Sequence, residues 1–469
     1  MRSWRTGASA SGDRRSRVAI AVACLVVALF VPRPGWSDDD TYDVPSGPPQ
    51  IVSTPITDDT APPPPTTVVK NGSGTLILDA VNSYTGGTII NDGTLAIGPS
   101  GSITTSSGVD LTATGTVFDI STGGYQTIAD LSGVSGSTVA LGGYTLTVGT
   151  ANSTIFAGAI ADGGIGGGTG GALVKQGSGT LTLTGANTYT GATTINDGTL
   201  AIGAGGSIAS SSGINLAGAD TAFDISTAGN QTIRNLTGVS SSTVSLGGNT
   251  LTVGTADSTD FAGTIADGGI GGGTGGSLVK QGSGTLTLSG SNTYTGLTTI
   301  NAGTLALSGD GSIASSSGVN LAASGTTFDI SGSTGATTIL SLIGVSGSTV
   351  SLGNNALFIE PTGTSTFAGS IAGTSSSELV FEGTGTQILS GASTLSGDVF
   401  IESGMLSMGA GGSIASASAV FVGSGTVFDI SNAGNQTIQN LDGATGAMVT
   451  LGANKLTVSE SSGSTIYSG

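Results

Sequence analysis

Val68-Val69-Lys70, Leu173-Val174-Lys175 and Leu278-Val279-Lys280 open stretches of sequence spaced 105 residues apart, and Leu379-Val380-Phe381 opens a fourth 101 residues later. Copies this close must each take one local structure and pack on their neighbours in one way, which restricts the chain to repetitive architectures. Further landmarks recur inside each unit. Phe-Asp-Ile-Ser stands at 118–121, 223–226, 328–331 and 428–431, and Gly-Ser-Ile begins at 101, 206, 311 and 412. Residues 465–469 align with residues 154–158, so the fourth unit stops partway through.

Within a unit, apolar and polar residues alternate, as in Thr180-Leu181-Thr182-Leu183-Thr184 and Thr250-Leu251-Thr252-Val253. A period of two is that of half-buried strands, and no stretch after residue 67 carries a helical period. The strands are short and end at glycine turns such as Asn91-Asp92-Gly93 and Asn196-Asp197-Gly198, where left-handed backbone angles are needed. These features predict an all-β solenoid, a parallel β-helix of four units of about 105 residues with the last incomplete. Coils of about 22 residues at a strand spacing near 4.8 Å would give about 18 coils and a rod of about 90 Å. A propeller fits less well, because its blades of about 40 to 50 residues do not divide the period, and a sandwich has no need of such close copies.

Composition narrows the chemistry. The 469 residues include 84 glycines and no histidine, so a Ser-His-Asp triad, an imidazole metal ligand and an imidazole acid or base are all excluded. The apolar fraction of 37% is too high for a charge-rich unfolded chain and suffices for a long core. Past residue 37 there are 28 acidic and 5 basic side chains, a net charge of −23, a surface that repels nucleic acid and anionic membrane.

Residues 1–37 read as a secretory signal peptide, with arginines at the start, an apolar run from Val18 to Val31 and small residues at Gly35 and Ser37 flanking a cleavage point. The run is too short for a bilayer of about 30 Å. The single cysteine, Cys24, lies in this leader, so the exported chain is expected to hold together without disulfides. Residues 38–67, beginning Asp38-Asp39-Asp40 and running through Pro45, Pro48, Pro49 and residues 62–65, read as an acidic, proline-rich linker outside any sheet. Residues 68–469 are the repeat region, with units starting at 68, 173, 278 and 379.

The segment Leu173-Val174-Lys175-Gln176-Gly177-Ser178-Gly179-Thr180-Leu181-Thr182-Leu183, followed by Asn187-Thr188-Tyr189-Thr190-Gly191 and Asn196-Asp197-Gly198-Thr199-Leu200, resembles the autotransporter-associated β-strand repeat of bacterial passenger domains. The pattern returns at 68–97 and 278–307 and more loosely at 379–408, where Leu395 stands for Tyr189 and Glu402-Ser403-Gly404 for Asn196-Asp197-Gly198. The resemblance implies a right-handed β-helical passenger of a type V secretion system, exported to the cell surface, the outer membrane or the medium. It implies an outer-membrane barrel as translocation partner, in cis beyond Gly469 or in trans. It also implies an adhesin, a mediator of cell-cell association or a surface stalk, whose partner is a component of a host cell, a neighbouring cell or the matrix. Self-association is expected where a coil edge is left open. The alternative is a β-helical enzyme acting on extracellular polysaccharide, a reading by fold analogy.

The loops at 163–168 and 268–273 have the glycines of a phosphate cradle but neither its lysine nor a following helix. Asp162 and Asp267 beside them are suitable calcium ligands, yet acids are sparse there. Asp119, Asp224, Asp329 and Asp429 recur in identical settings, which favours turn or coil-packing roles over a catalytic row. Asn91, Asn196 and Asn301 read as caps of their own turns. No catalytic, cofactor-binding or metal-ligating residue is assigned, no cofactor is expected, and the chain is read as a non-enzyme.

Overall fold

The computed structural model describes residues 39–58, 65–459 and 465–469. The signal peptide read for residues 1–37, with Cys24, lies outside the described residues. Every regular element among them is a β-strand, and every strand pairing is parallel. No helix there is long and apolar enough to cross a membrane. The strands wind into a β-solenoid of about 19 turns.

A full coil lays one strand on each of three faces, and where a unit crosses one face without a strand the two neighbouring coils touch there through an isolated bridge such as Ala186↔Ser207. The first face runs unbroken from Asp39–Asp43 to Thr264–Ala266 in an eleven-stranded sheet. The second holds six strands from Gln50–Val52 to Ala159–Ala161, and the third runs from Gln126–Ile128 to Thr394–Leu395 in thirteen strands. Alternation selects what goes inside. In Thr180–Leu183 the two leucines are buried and the two threonines half-buried, and neighbouring strands pair in register, Leu181 with Leu200 and Leu183 with Ile202. The inward residues merge into one continuous core from Val44 to Ala447. This core provides the cohesion that a chain without cross-links needs.

The period of the sequence is not a whole number of coils. The second unit supplies twelve strands, Ala172–Lys175 to Thr264–Ala266, plus two segments that touch through the single bridge Ala186↔Ser207. Fourteen positions on three faces leave a remainder of two, so each unit opens one face away from its predecessor. Thr67–Asn71 accordingly lies in the first face, Ala172–Lys175 in the third and Ser277–Lys280 in the continuation of the second. Glu378–Phe381 lies in the sheet that resumes the first face. Equivalent residues therefore step around the solenoid instead of lining up along one side.

The linker expected at 38–67 is corrected at its described residues. Asp39–Asp43 pairs with Thr67–Asn71, from Asp39↔Thr67 to Asp43↔Asn71, and Gln50–Val52 pairs with Thr75–Leu78. The strands themselves contain no proline. Pro45, Pro48 and Pro49 fall in the connection between them, where a missing N–H costs no ladder bond. The segment forms the first coil, and Val44 and Ile56 are buried against the next.

Candidate functional site

The recurring residues of the repeat point inward. Alternation puts Lys175 on the same side of its strand as Leu173, and both are buried. Three carbonyl oxygens surround its ammonium, which donates to Gln176 O at 2.8 Å, Gly177 O at 2.5 Å and, one coil on, Asp197 O at 3.1 Å. Lys70 and Lys280 repeat the arrangement. Burial lowers the pKa of all three lysines. Asp92 and Asp43 offset this at Lys70, and Asp197 does so at Lys175. At Lys280 the turn carries Ala302 in the place of the aspartate, and the pKa falls to about 8. These lysines clamp turns of adjacent coils. Their inward register was legible from alternation, and the replacement of Lys175 by Phe381 in the fourth unit was a second signal.

Asn187 closes a gap in the second face. No strand forms there, and its amide takes the place of backbone: Oδ1 accepts from Ile160 N at 2.9 Å, and Nδ2 donates to Gly185 O and Ser207 O. Asn82 and Asn292 do the same. Beneath, the buried hydroxyls of Tyr189, Thr193 and Ser211 form a chain of hydrogen bonds of 2.6 and 3.0 Å. Burial raises the pKa of each equivalent phenol, that of Tyr84 to about 12. In the fourth unit all three hydroxyl residues change together, to Leu395, Val399 and Ala417, which remain buried. Removing one member of such a chain strands its partners, whereas replacing all of them by apolar groups can be nearly neutral. We therefore expect Thr193→Val to cost about 2 kcal/mol in urea unfolding. The triple variant Tyr189→Leu, Thr193→Val, Ser211→Ala is expected to cost less than this single change.

The repeated aspartates and the glycine loops form one device. Asp119 Oδ1 accepts from Ser121 N and Ser121 Oγ, while Oδ2 accepts from Ile165 N at 2.6 Å in the loop two coils on. Ser121 Oγ accepts in turn from Gly166 N at 2.7 Å. At the far end, Asp162 accepts from Gly170 N, Gly171 N and both the N–H and hydroxyl of Thr190. Asp224 and Asp267 hold the second loop identically. The amides that a phosphate cradle would use are thus directed at the protein's own carboxylate and hydroxyl. The third and fourth units lack the glycine run, and there Asp329 and Asp429 each accept from the local turn amide two residues on, and Asp429 also accepts from Ser407 Oγ.

The cap expected at Asn91 is corrected. Its Nδ2 donates to Asn71 Oδ1 on the preceding coil at 2.9 Å, and its Oδ1 accepts from Thr112 Oγ1 on the next at 2.6 Å. Coils are 20 and 21 residues apart here, so the ladder joins Asn71, Asn91 and Thr112 within one unit, and the equivalent asparagines 105 residues apart are not its rungs.

The stretches 68–97, 173–202, 278–307 and 380–408 match the family described as Passenger-associated-transport-repeat. A 102-residue stretch, 21% of the chain, is 44% identical to the "Adhesin BmaC autotransporter" of Brucella suis biovar 1 (strain 1330) and spans 3% of that protein. No solved structure matches. The repeat's residues, as placed above, hold coil to coil and leave the outward columns, largely Thr, Ser and Asn, to face any partner.

Proposed function

We propose that this chain, whose four transport repeats on a β-solenoid are those of an autotransporter passenger, is displayed or released at the cell surface after export and mediates adhesion or cell-cell association. The observation that carries this reading is the direction of the side chains. The recurring Lys175, Asn187, Asp119 and the Tyr189–Thr193–Ser211 hydroxyl chain are engaged in contacts that join one coil to another, while about 19 turns of solenoid present their other side chains outward. Such a surface offers many weak, repeated contacts, and multivalent engagement turns these into strong attachment. The similarity to a named adhesin supports the same reading.

On this reading the chain is a scaffold without catalysis, and its partner is a component of a neighbouring cell, a host cell or the matrix. The test is adhesion itself. Beads coated with the purified chain should bind cells or immobilised matrix above beads coated with albumin. Failure to bind any surface, together with failure to clump cells that display the chain, would overturn the proposal.

A further inference from the structure

In the fourth unit the outward columns change character. On successive coils of the resumed first face, Val380 pairs with Phe400, Phe400 with Phe421, and Phe421 with Asp442. Phe358 precedes Val380 in the same column. The equivalent positions in the second unit are Val174, Thr194, Asn215 and Thr237, and in the third Val279, Thr299, Asn320 and Ile343. The same backbone is thus built twice with Thr and Asn at these sites, so the coil does not need the phenylalanines. Phe400 and Phe421 stack with centroids 4.7 Å apart and planes 8° from parallel. Val380, 3% exposed, is buried without joining the core cluster.

Carboxylates flank the rings. Two residues along each strand, again outward, stand Glu360, Glu382 and Glu402, where the second unit has Gln176 and Asn196 for the last two. Burial and the neighbouring Glu402 and Glu360 raise the pKa of Glu382. Glu378 and Asp398 pair on the other side, and Ser418 Oγ donates to Asp398. The sequence contains no lysine or arginine between Lys280 and Lys455.

The ring stack ends at Phe421. The next coil offers Asp442, Gly443 and Ala444, which with Phe421, Glu402 and Gly423 line a shallow groove of about 410 Å³. Asp442 Oδ1 accepts from Ile466 N at 3.0 Å. The place beyond Phe421 therefore fits one more planar group, and the acids beside it ask for a positive one. A guanidinium meets both demands, since it stacks on aromatic faces and binds carboxylates through its fork.

We propose that this groove is a docking site for an arginine-bearing segment of a partner protein, the guanidinium extending the Phe400–Phe421 stack between Glu402 and Asp442. The proposal rests on the adhesive reading and gives its partner a chemistry. The probe is a fluorescein-labelled octapeptide of alternating Arg and Gly, followed by anisotropy against the full chain, with the Lys-Gly octapeptide and cellohexaose as comparators. The Arg peptide should bind, and Phe400→Thr with Phe421→Asn, which restores the second unit's residues, should weaken it at least tenfold with circular dichroism unchanged. Glu402→Gln with Asp442→Asn should weaken it and flatten its salt dependence. Equal binding by the Phe variant, equal affinity for the Lys peptide, or cellohexaose binding that depends on the rings would each overturn the proposal. Loss of peptide binding with bead adhesion intact removes this inference alone, and peptide binding without adhesion removes only the broader reading.

Discussion

Gly198→Ala is expected to destabilise the solenoid by roughly 4 kcal/mol, the upper end of what one substitution does. Gly198 has φ +66°, and a Cβ there would lie 2.5 Å from Gly177 O and Gly179 O of the preceding turn. Two costs combine: a left-handed conformation that alanine resists, and a collision with backbone that cannot rotate away. The site is the turn glycine that persists in all four units, at φ +67°, +66°, +65° and +69° for Gly93, Gly198, Gly303 and Gly404. Separating two coils at this point also opens the clamp of Lys175, whose third acceptor is Asp197 O. Urea unfolding should show a lower midpoint. Gly229→Ala provides the comparison, because its Cβ would meet nothing within 4 Å at a similar φ of +78°. It should cost about 1 kcal/mol. Equal effects of the two substitutions would show that coil-to-coil closeness is not what fixes the glycine.

Lys280→Met is expected to cost about 3 kcal/mol, since three carbonyls facing the ammonium lose a charged donor inside the protein. Its pH dependence distinguishes this from lost packing. The folded pKa is about 8, whereas an exposed lysine titrates near 10.4. Below about pH 8 both states carry the proton. Between that point and about 10.4 the unfolded chain keeps a proton that the folded chain has released, so stability rises with pH across this window. In Lys280→Met that rise should disappear, so the penalty relative to wild type should widen between pH 7.5 and 10. Ala302→Asp restores the carboxylate present beside Lys175 as Asp197 and should raise the Lys280 pKa, read from the lysine side-chain resonances. A Lys280 titrating near 10.4 in the native protein would contradict the structure's account of its burial.

Much of this was legible beforehand because the determining signals are local. Alternation in Thr180-Leu181-Thr182-Leu183 places leucine inside whatever the neighbours do, and a glycine recurring at 93, 198, 303 and 404 marks a turn. Coil-to-coil partners were not legible, because the spacing between stacked positions varies with loop length. It is 20 from Val68 to Thr88, 22 from Val109 to Leu131 and 27 from Thr154 to Leu181. For this reason Asn91 meets Asn71 and Thr112, Asp119 meets a loop amide 46 residues away, and Phe400 meets Phe421. The first coil carries little local signal for a related reason. The prolines of residues 45–49 mark a connection, and the short strands on either side owe their order to the coil they cover.

A period of two residues inside a period of 105 permits little besides a repetitive stack of strands with its apolar rows inside, so that much is written into the chain. Where each unit points emerges from the winding of the coils. Fourteen strand positions do not divide by three faces, so successive units turn about the axis, and residues alike in sequence face different directions. Side-chain direction is set within a strand, whereas position around the solenoid accumulates over every turn and loop that precedes it.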